Sequence, residues 1–160
     1  MDAEIKGYAD FIDELLEKAG QHAAALSAEA ANWEPLDAGT NSVGAIAAHI
    51  CGVVRWWVVQ GLTGRDVGRQ RDTEFSARVD ANGEINFWGA RRPLAAVISE
   101  TRSLASDILA NLDPAALTEL SAVDTLGPRL NRWALVHTID ELSQHVGHME
   151  LTIQLWNARA

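Results

Sequence analysis

Three histidines and a glutamate follow one another near the C-terminal end of the chain, at the intervals of one helix face. His137, Glu141, His145 and His148 are separated by four, four and three residues, and side chains at these intervals stack along one side of an α-helix. On a helical wheel, Glu141 and His145 lie nearest the apolar stripe of the same segment. Imidazole nitrogens and carboxylate oxygens are ligands for divalent metal ions. This face therefore offers two ligands that point toward the interior.

His49 is a third polar residue that is expected to face inward, because it lies within an apolar stripe of an earlier segment. Imidazole and carboxylate groups that are buried together need partners, and a divalent cation satisfies all three at once. We therefore predict a metal site made of His49, Glu141 and His145. Two histidines and a glutamate with an open fourth position are typical of a catalytic zinc site rather than a structural one.

Two alternatives remain open from the spacing alone. The same three residues are also compatible with a buried hydrogen-bond network that holds no metal. His137 and His148 are weaker candidate ligands, since both lie toward the boundary of the apolar stripe, where a role at the surface or behind a ligand is expected instead.

Four amphipathic helices must position these side chains. Apolar residues at helical spacing predict helices over residues 4–26, 42–61, 93–111 and 129–157. Phe11 and Val136 belong to apolar positions expected to face the core. The charged connection 62–92 has no sustained period, so we predict one short helix at 73–77 and no strand. The pattern predicts an all-α protein: one four-helix bundle domain over residues 1–160, with a long crossover between the second and third helices.

The composition excludes several classes of partner and structure. The chain has 160 residues, 48% of them hydrophobic, and a formal net charge of −9, so a folded core is expected and a nucleic-acid or membrane partner is not. Cys51 is the single cysteine, which prevents an internal disulfide; we expect it to be a small core residue. The acidic, amphipathic N-terminus does not look like a signal peptide, and a cytoplasmic location follows as the expectation. The apolar stretch 43–59 is interpreted as a buried helix.

Three segments carry a resemblance to a known family. Residues 40–50 resemble an Asn-Ser entry into a helix that bears a first metal histidine. Residues 64–75 contain Arg-Asp and Glu-Phe pairs similar to those of a charged connection, and residues 132–148 match a pattern of Arg-Trp, His, Glu and His-x-Gly-His. The sequence thereby resembles the DinB/YfiT-like superfamily of metalloenzymes, in the branch related to mycothiol-dependent maleylpyruvate isomerase.

The resemblance implies a DinB fold, a divalent metal and a homodimer. Many members have a histidine as the middle ligand, whereas the mycothiol-dependent branch implies the glutamate found here at position 141. Zinc is the metal expected first, with nickel or iron(II) as alternatives. The expected activity is that of a transferase or isomerase that uses a low-molecular-weight thiol, mycothiol or bacillithiol, together with an electrophilic substrate. The alternative is a dimer, with a role in stress response, that binds a metal or small ligand without catalysis.

Overall fold

The structure is a computed structural model that describes residues 1–36 and 39–159. In chain order its helices and strands are α1 (Ala3–Ala24), α2 (Ala28–Asn32), α3 (Val43–Val54), a π-helical segment (Arg55–Gln60), α4 (Gly61–Thr63), α5 (Arg71–Phe75), β1 (Glu84–Phe87), β2 (Ala90–Pro93), α6 (Leu94–Ala110), a 3₁₀ turn (Pro114–Thr118) and α7 (Asn131–Asn157). The predicted mostly helical class is confirmed.

Polar side chains cap the N-termini of α1 and α3. Asp2 caps α1 by accepting hydrogen bonds from the backbone N–H groups of Glu4 and Ile5. The hydroxyl of Ser42 accepts a hydrogen bond from the backbone N–H of Ala45, so it caps α3. Each cap satisfies donors that a helix N-terminus would otherwise leave unpaired.

The core lies between the long helices. α1 packs against α6 and α7, and α3 packs against the same two helices. Every residue of α3 is buried, including its one histidine. The largest fully buried side chains come from all four of these helices and include Ile12, Leu16, Ile50, Leu109, Leu135 and Leu142. The candidate site therefore sits on the most buried helix of the chain and on the helix packed beside it.

The helix that begins at Val43 continues through the π-helical segment to Thr63. It is long and apolar enough to cross a membrane by length and composition, and most of it is buried inside the protein. Such burial is what a core helix shows, in agreement with the sequence interpretation of residues 43–59.

Two sequence expectations about exposure are wrong. Phe11 and Val136 were expected to face the core, yet they are 59% and 50% exposed. In each helix the adjacent residue occupies the interior instead, because neighbouring positions differ by about 100° around the axis. Ile12 and Leu135 are these inward residues, and both are fully buried.

The connection between the second and third long helices contains a β-hairpin, which contradicts the expectation of no strand. Strand β1 pairs antiparallel with β2, and Phe87 opposite Ala90 closes a two-residue turn. Trp88 and Gly89 form this turn with φ of 52° and 80°. Strands of four residues are too short for alternation to be recognised, and a tryptophan replaces the Asn or Asp that marks such turns. The short helix expected at 73–77 is α5, two residues earlier.

Candidate metal centre

Helices α3 and α7 bring the three predicted ligands together. His49 comes from α3, whereas Glu141 and His145 come from α7. One ligand atom of each residue lies within 4.8 Å of the others. Oε2 of Glu141 lies 3.8 Å from Nε2 of His49 and 3.6 Å from Nε2 of His145. The described residues contain this single group of three or more side chains able to hold a metal ion.

These distances test whether a cation fits. At 3.6 and 3.8 Å the atoms are too far apart for good hydrogen bonds with one another. Ligand atoms that each lie about 2.1 Å from a tetrahedral zinc ion are separated by about 3.4 Å. The two distances from Glu141 are therefore close to those of a metal site. All three ligand atoms lie within 4.8 Å of one another, so the side chains would draw together around a cation.

His145 carries an unsatisfied group. Its Nδ1 is buried and has no hydrogen-bond partner among the described residues. Burial, and next the neighbouring His49, lower the pKa of His145. The neutral imidazole, which is the form that binds metal ions, is thus favoured at this position.

A buried carboxylate that the sequence analysis did not identify lies behind His49. Oε2 of Glu74 on α5 lies 2.9 Å from Nδ1 of His49, and the glutamate is 1% exposed. Arg69 donates two hydrogen bonds of 2.9 Å to the same carboxylate, and Nε1 of Trp88 donates a third of 3.1 Å. Burial opposes ionisation of Glu74, but the hydrogen bonds from Arg69 and His49 outweigh it and lower the pKa of the carboxyl group. The ionised carboxylate accepts a hydrogen bond from the Nδ1–H group of His49, which leaves Nε2 free to bind a cation.

The two weaker candidates do not join the group of three. Nε2 of His137 lies 3.9 Å from Oε1 of Glu141, whereas the other two histidines lie near Oε2. The ring of His137 packs on Trp133 and Trp57, with centroid distances of 4.7 and 5.2 Å. His148 is exposed, and its ring centroid lies 5.5 Å from that of His145. Both residues border the centre without adding a fourth ligand atom to the group.

Comparison with known proteins decides the family. A model of the mycothiol S-transferase family matches residues 8–155, which include the whole candidate centre. The chain belongs to the mycothiol S-transferase family. This confirms the resemblance to the DinB/YfiT-like proteins that was drawn from the three sequence segments.

A solved structure supports the fold of this mycothiol S-transferase family member. The crystal structure of a conserved protein from Enterococcus faecalis matches it with a TM-score of 0.70 over 99% of both chains, at 15% sequence identity. An identity this low shows a shared fold alone. A comparison with curated proteins gives no significant match.

Two cavities reach the candidate centre of this family member. His49 and Glu141 line a cavity of about 430 Å³, whose walls also include Trp56, Trp57 and Arg69. The two tryptophans belong to the π-helical segment, and such segments are frequent at functional sites. His145 lines a second cavity of about 640 Å³, together with these residues: Trp33, Ile46, His148, Leu151 and Leu155. The three candidate ligands therefore line two different cavities.

The thiol of this chain is not available for the family's chemistry. Cys51 is fully buried, and burial raises its pKa to about 12. A thiol in this state is not a nucleophile near neutral pH. The expectation that Cys51 is a core residue is confirmed.

Proposed function

We propose that this protein is a metal-dependent transferase or isomerase that activates a low-molecular-weight thiol for reaction with an electrophile. The observation that carries the proposal is the His49, Glu141 and His145 group, whose ligand atoms lie within 4.8 Å of one another and whose side chains line two cavities. Membership of the mycothiol S-transferase family supports mycothiol as the thiol, with bacillithiol as the alternative. Zinc is the proposed metal, and nickel or iron(II) are its alternatives.

The side chains at and around the metal site have separate roles in the proposed reaction. A divalent cation held by the three side chains would supply the positive charge that lowers the pKa of a bound thiol and favours its thiolate near neutral pH. His49 presents Nε2 because Glu74 accepts a hydrogen bond from Nδ1–H, and Glu141 presents Oε2 to both histidines. His137 lines the 430 Å³ cavity, and we assign to its imidazole the proton that the thiol loses.

The reaction then joins the two bound molecules. In the transfer reaction, the thiolate sulfur forms a bond to an electrophilic carbon, and the leaving group departs with the electron pair of the bond that breaks. The cavities bring thiol and electrophile together, which supplies the orientation that two separate molecules lack in water. The apolar side chains of Ile46, Leu151 and Leu155 suit the 640 Å³ cavity to an apolar electrophile.

A fluorescence assay tests this function. Purified protein is incubated with mycothiol and monochlorobimane, an electrophile that becomes fluorescent when it is joined to a thiol, and the rate is compared with that of the same mixture without protein. We expect zinc-loaded protein to accelerate conjugation, and the metal-free protein and Glu141→Gln to lose this effect. His22→Ala is the matched control, because His22 contacts Glu150 outside the centre. The absence of metal-dependent turnover with either mycothiol or bacillithiol would overturn the proposal.

A second function is favoured by the apolar lining of the 640 Å³ cavity. In this alternative the protein is a dimer, with a role in stress response, that binds a metal or small ligand without converting it. Binding of zinc and mycothiol without turnover would support it. His145→Ala separates the two functions, because loss of activity with an intact fold indicates catalysis, whereas loss of folding or of dimerisation indicates a structural site.

We further propose that the long helices α1, α3 with its continuation, α6 and α7 form a DinB-type four-helix bundle within one domain. The packing of α1 and α3 against both α6 and α7 supports this arrangement. The family resemblance supports a homodimer, which light scattering on the purified protein tests. The single cysteine supports a cytoplasmic location, and the net charge of −9 supports a protein that binds neither nucleic acid nor membranes.

A further inference from the structure

We propose that Glu74 is a positioning residue for the metal centre, and that the long crossover is shaped to hold its carboxylate against His49. The inference rests on the proposed metal site. Its evidence comes from three sides of the carboxylate: a glycine on α3, an arginine that precedes α5, and the turn of the β-hairpin.

Gly52 makes room for the carboxylate on the inner side. It follows His49 by three residues, so both lie on the same face of α3. A Cβ atom at position 52 would lie 2.1 Å from Oε1 and 2.5 Å from Cδ of Glu74. Any residue other than glycine would therefore push the carboxylate away from its present place, where Oε2 lies 2.9 Å from Nδ1 of His49.

Trp88 holds the carboxylate from the outer side, in a backbone conformation that a large side chain rarely adopts. Its φ is 52°, and among the described residues it is the single non-glycine residue with positive φ. Glycine or asparagine would suit this turn without strain. The indole Nε1 donates to Oε1 of Glu74 at 3.1 Å. A strained residue whose side chain reaches a buried group points to a role for that side chain.

Together these contacts dictate which nitrogen of His49 carries the proton. Oε1 of Glu74 accepts hydrogen bonds from Nε of Arg69 and from Trp88, and Oε2 accepts from Nη2 of Arg69. A carboxylate has only acceptors, so His49 must donate to Oε2 from Nδ1. Its Nε2 then carries a lone pair and faces Oε2 of Glu141 at 3.8 Å. The function of Glu74 is to keep this nitrogen ready for the cation.

Glu74→Gln tests the inference with little change in size. With its oxygen in the place of Oε1, the amide would keep the bonds from Nε of Arg69 and Nε1 of Trp88 and would lose the bond from Nη2 of Arg69. The amide N–H₂, in the place of Oε2, would then face Nδ1 of His49 and donate to it. We expect the His49 proton to move from Nδ1 to Nε2, as seen by ¹⁵N NMR of the metal-free protein. Zinc affinity, measured by competition with a chromophoric chelator, should fall about 10- to 100-fold.

Gly52→Ala tests the same contact from the other side. Alanine normally stabilises a helix relative to glycine, so a lower zinc affinity would report the displaced carboxylate rather than a weaker helix. Gly7→Ala on α1 is the matched control, because an added Cβ there meets nothing within 4 Å; its zinc affinity should equal that of the wild type. Trp88→Phe keeps an aromatic ring, removes the Nε1 donor and should lower the affinity by a smaller factor than Glu74→Gln.

Zinc affinity and the His49 tautomer distinguish failure of the metal site from failure of the positioning role. Wild-type protein that binds no zinc would refute the metal site, while the His49 tautomer in Glu74→Gln would still test the positioning role. The inference is overturned if Glu74→Gln keeps the proton on Nδ1 and binds zinc as tightly as the wild type. Should Glu74→Gln fail to fold by circular dichroism, unchanged zinc affinity in Gly52→Ala and Trp88→Phe would overturn it equally.

Discussion

Zinc should raise the thermal stability of the metal-free protein by a predictable amount. The ligands come from α3 and α7, far apart in sequence, so a bound ion links two helices only in the folded state. The unfolded chain competes poorly for the ion, since it has one cysteine and five histidines without a fixed arrangement. Almost the full free energy of zinc binding therefore adds to the free energy of unfolding.

The size of the effect follows from mass action. At a free zinc concentration one hundred times Kd, folding gains about 2.7 kcal/mol. For a chain of 160 residues, each kcal/mol shifts Tm by about 2–4 °C. We therefore expect an increase of about 5–11 °C, with a further rise as zinc is increased.

Differential scanning fluorimetry of chelator-treated protein measures this shift. Glu141→Gln and His49→Ala should lose most of it, because each removes one of the three ligands. His22→Ala, whose imidazole lies 3.3 Å from Glu150 and outside the centre, should keep the full increase. An equal shift in all four proteins would show that zinc binds elsewhere, and no shift in any of them would show that the three side chains do not form a metal site.

Three further predictions concern the fold that supports the centre. Cys51, with a pKa of about 12, should not react with Ellman's reagent at pH 8 in the native protein and should react fully in denaturant; rapid native labelling would contradict its burial. Ser42→Ala should lower the free energy of unfolding in urea by about 1 kcal/mol through loss of the α3 cap, and an unchanged midpoint would contradict that role. Arg132 lowers the pKa of Glu4 from 4.5 to about 2, so the pair stabilises the fold above pH 4.5 and its contribution is lost as the pH falls toward 2. Acid unfolding of Arg132→Met, followed by circular dichroism, should therefore begin at a higher pH than that of the wild type.

The three candidate ligands could be predicted because their positions depend mainly on helix periodicity. Steps of four residues place Glu141 and His145 on one face, and an apolar stripe places His49 inside. Both patterns are properties of single helices that sequence displays directly. The resemblance and the expected bundle predicted that α3 and α7 are neighbours. In the structure the three ligand atoms lie within 4.8 Å of one another. Their role as ligands stays a prediction.

The support behind His49 could not be predicted, because it depends on the path of an irregular connection. Glu74 stands among other charged residues of the crossover, and nothing in its sequence surroundings separates it from solvent-exposed neighbours. Its burial depends on the space left by Gly52 and on a hairpin whose turn lacks the usual residues. One signal was present in retrospect: a glycine three residues after the histidine removes a side chain from the same helix face, which indicates that another group approaches there.

The metal content of the protein tests the central claim most directly. Protein purified without chelator or nickel resin is analysed by inductively coupled plasma mass spectrometry beside His49→Ala. The account predicts about one zinc or similar divalent ion per wild-type chain and its loss from the variant. Two metal-free samples of equal stability would contradict it, and would leave the three side chains as a polar feature of the core.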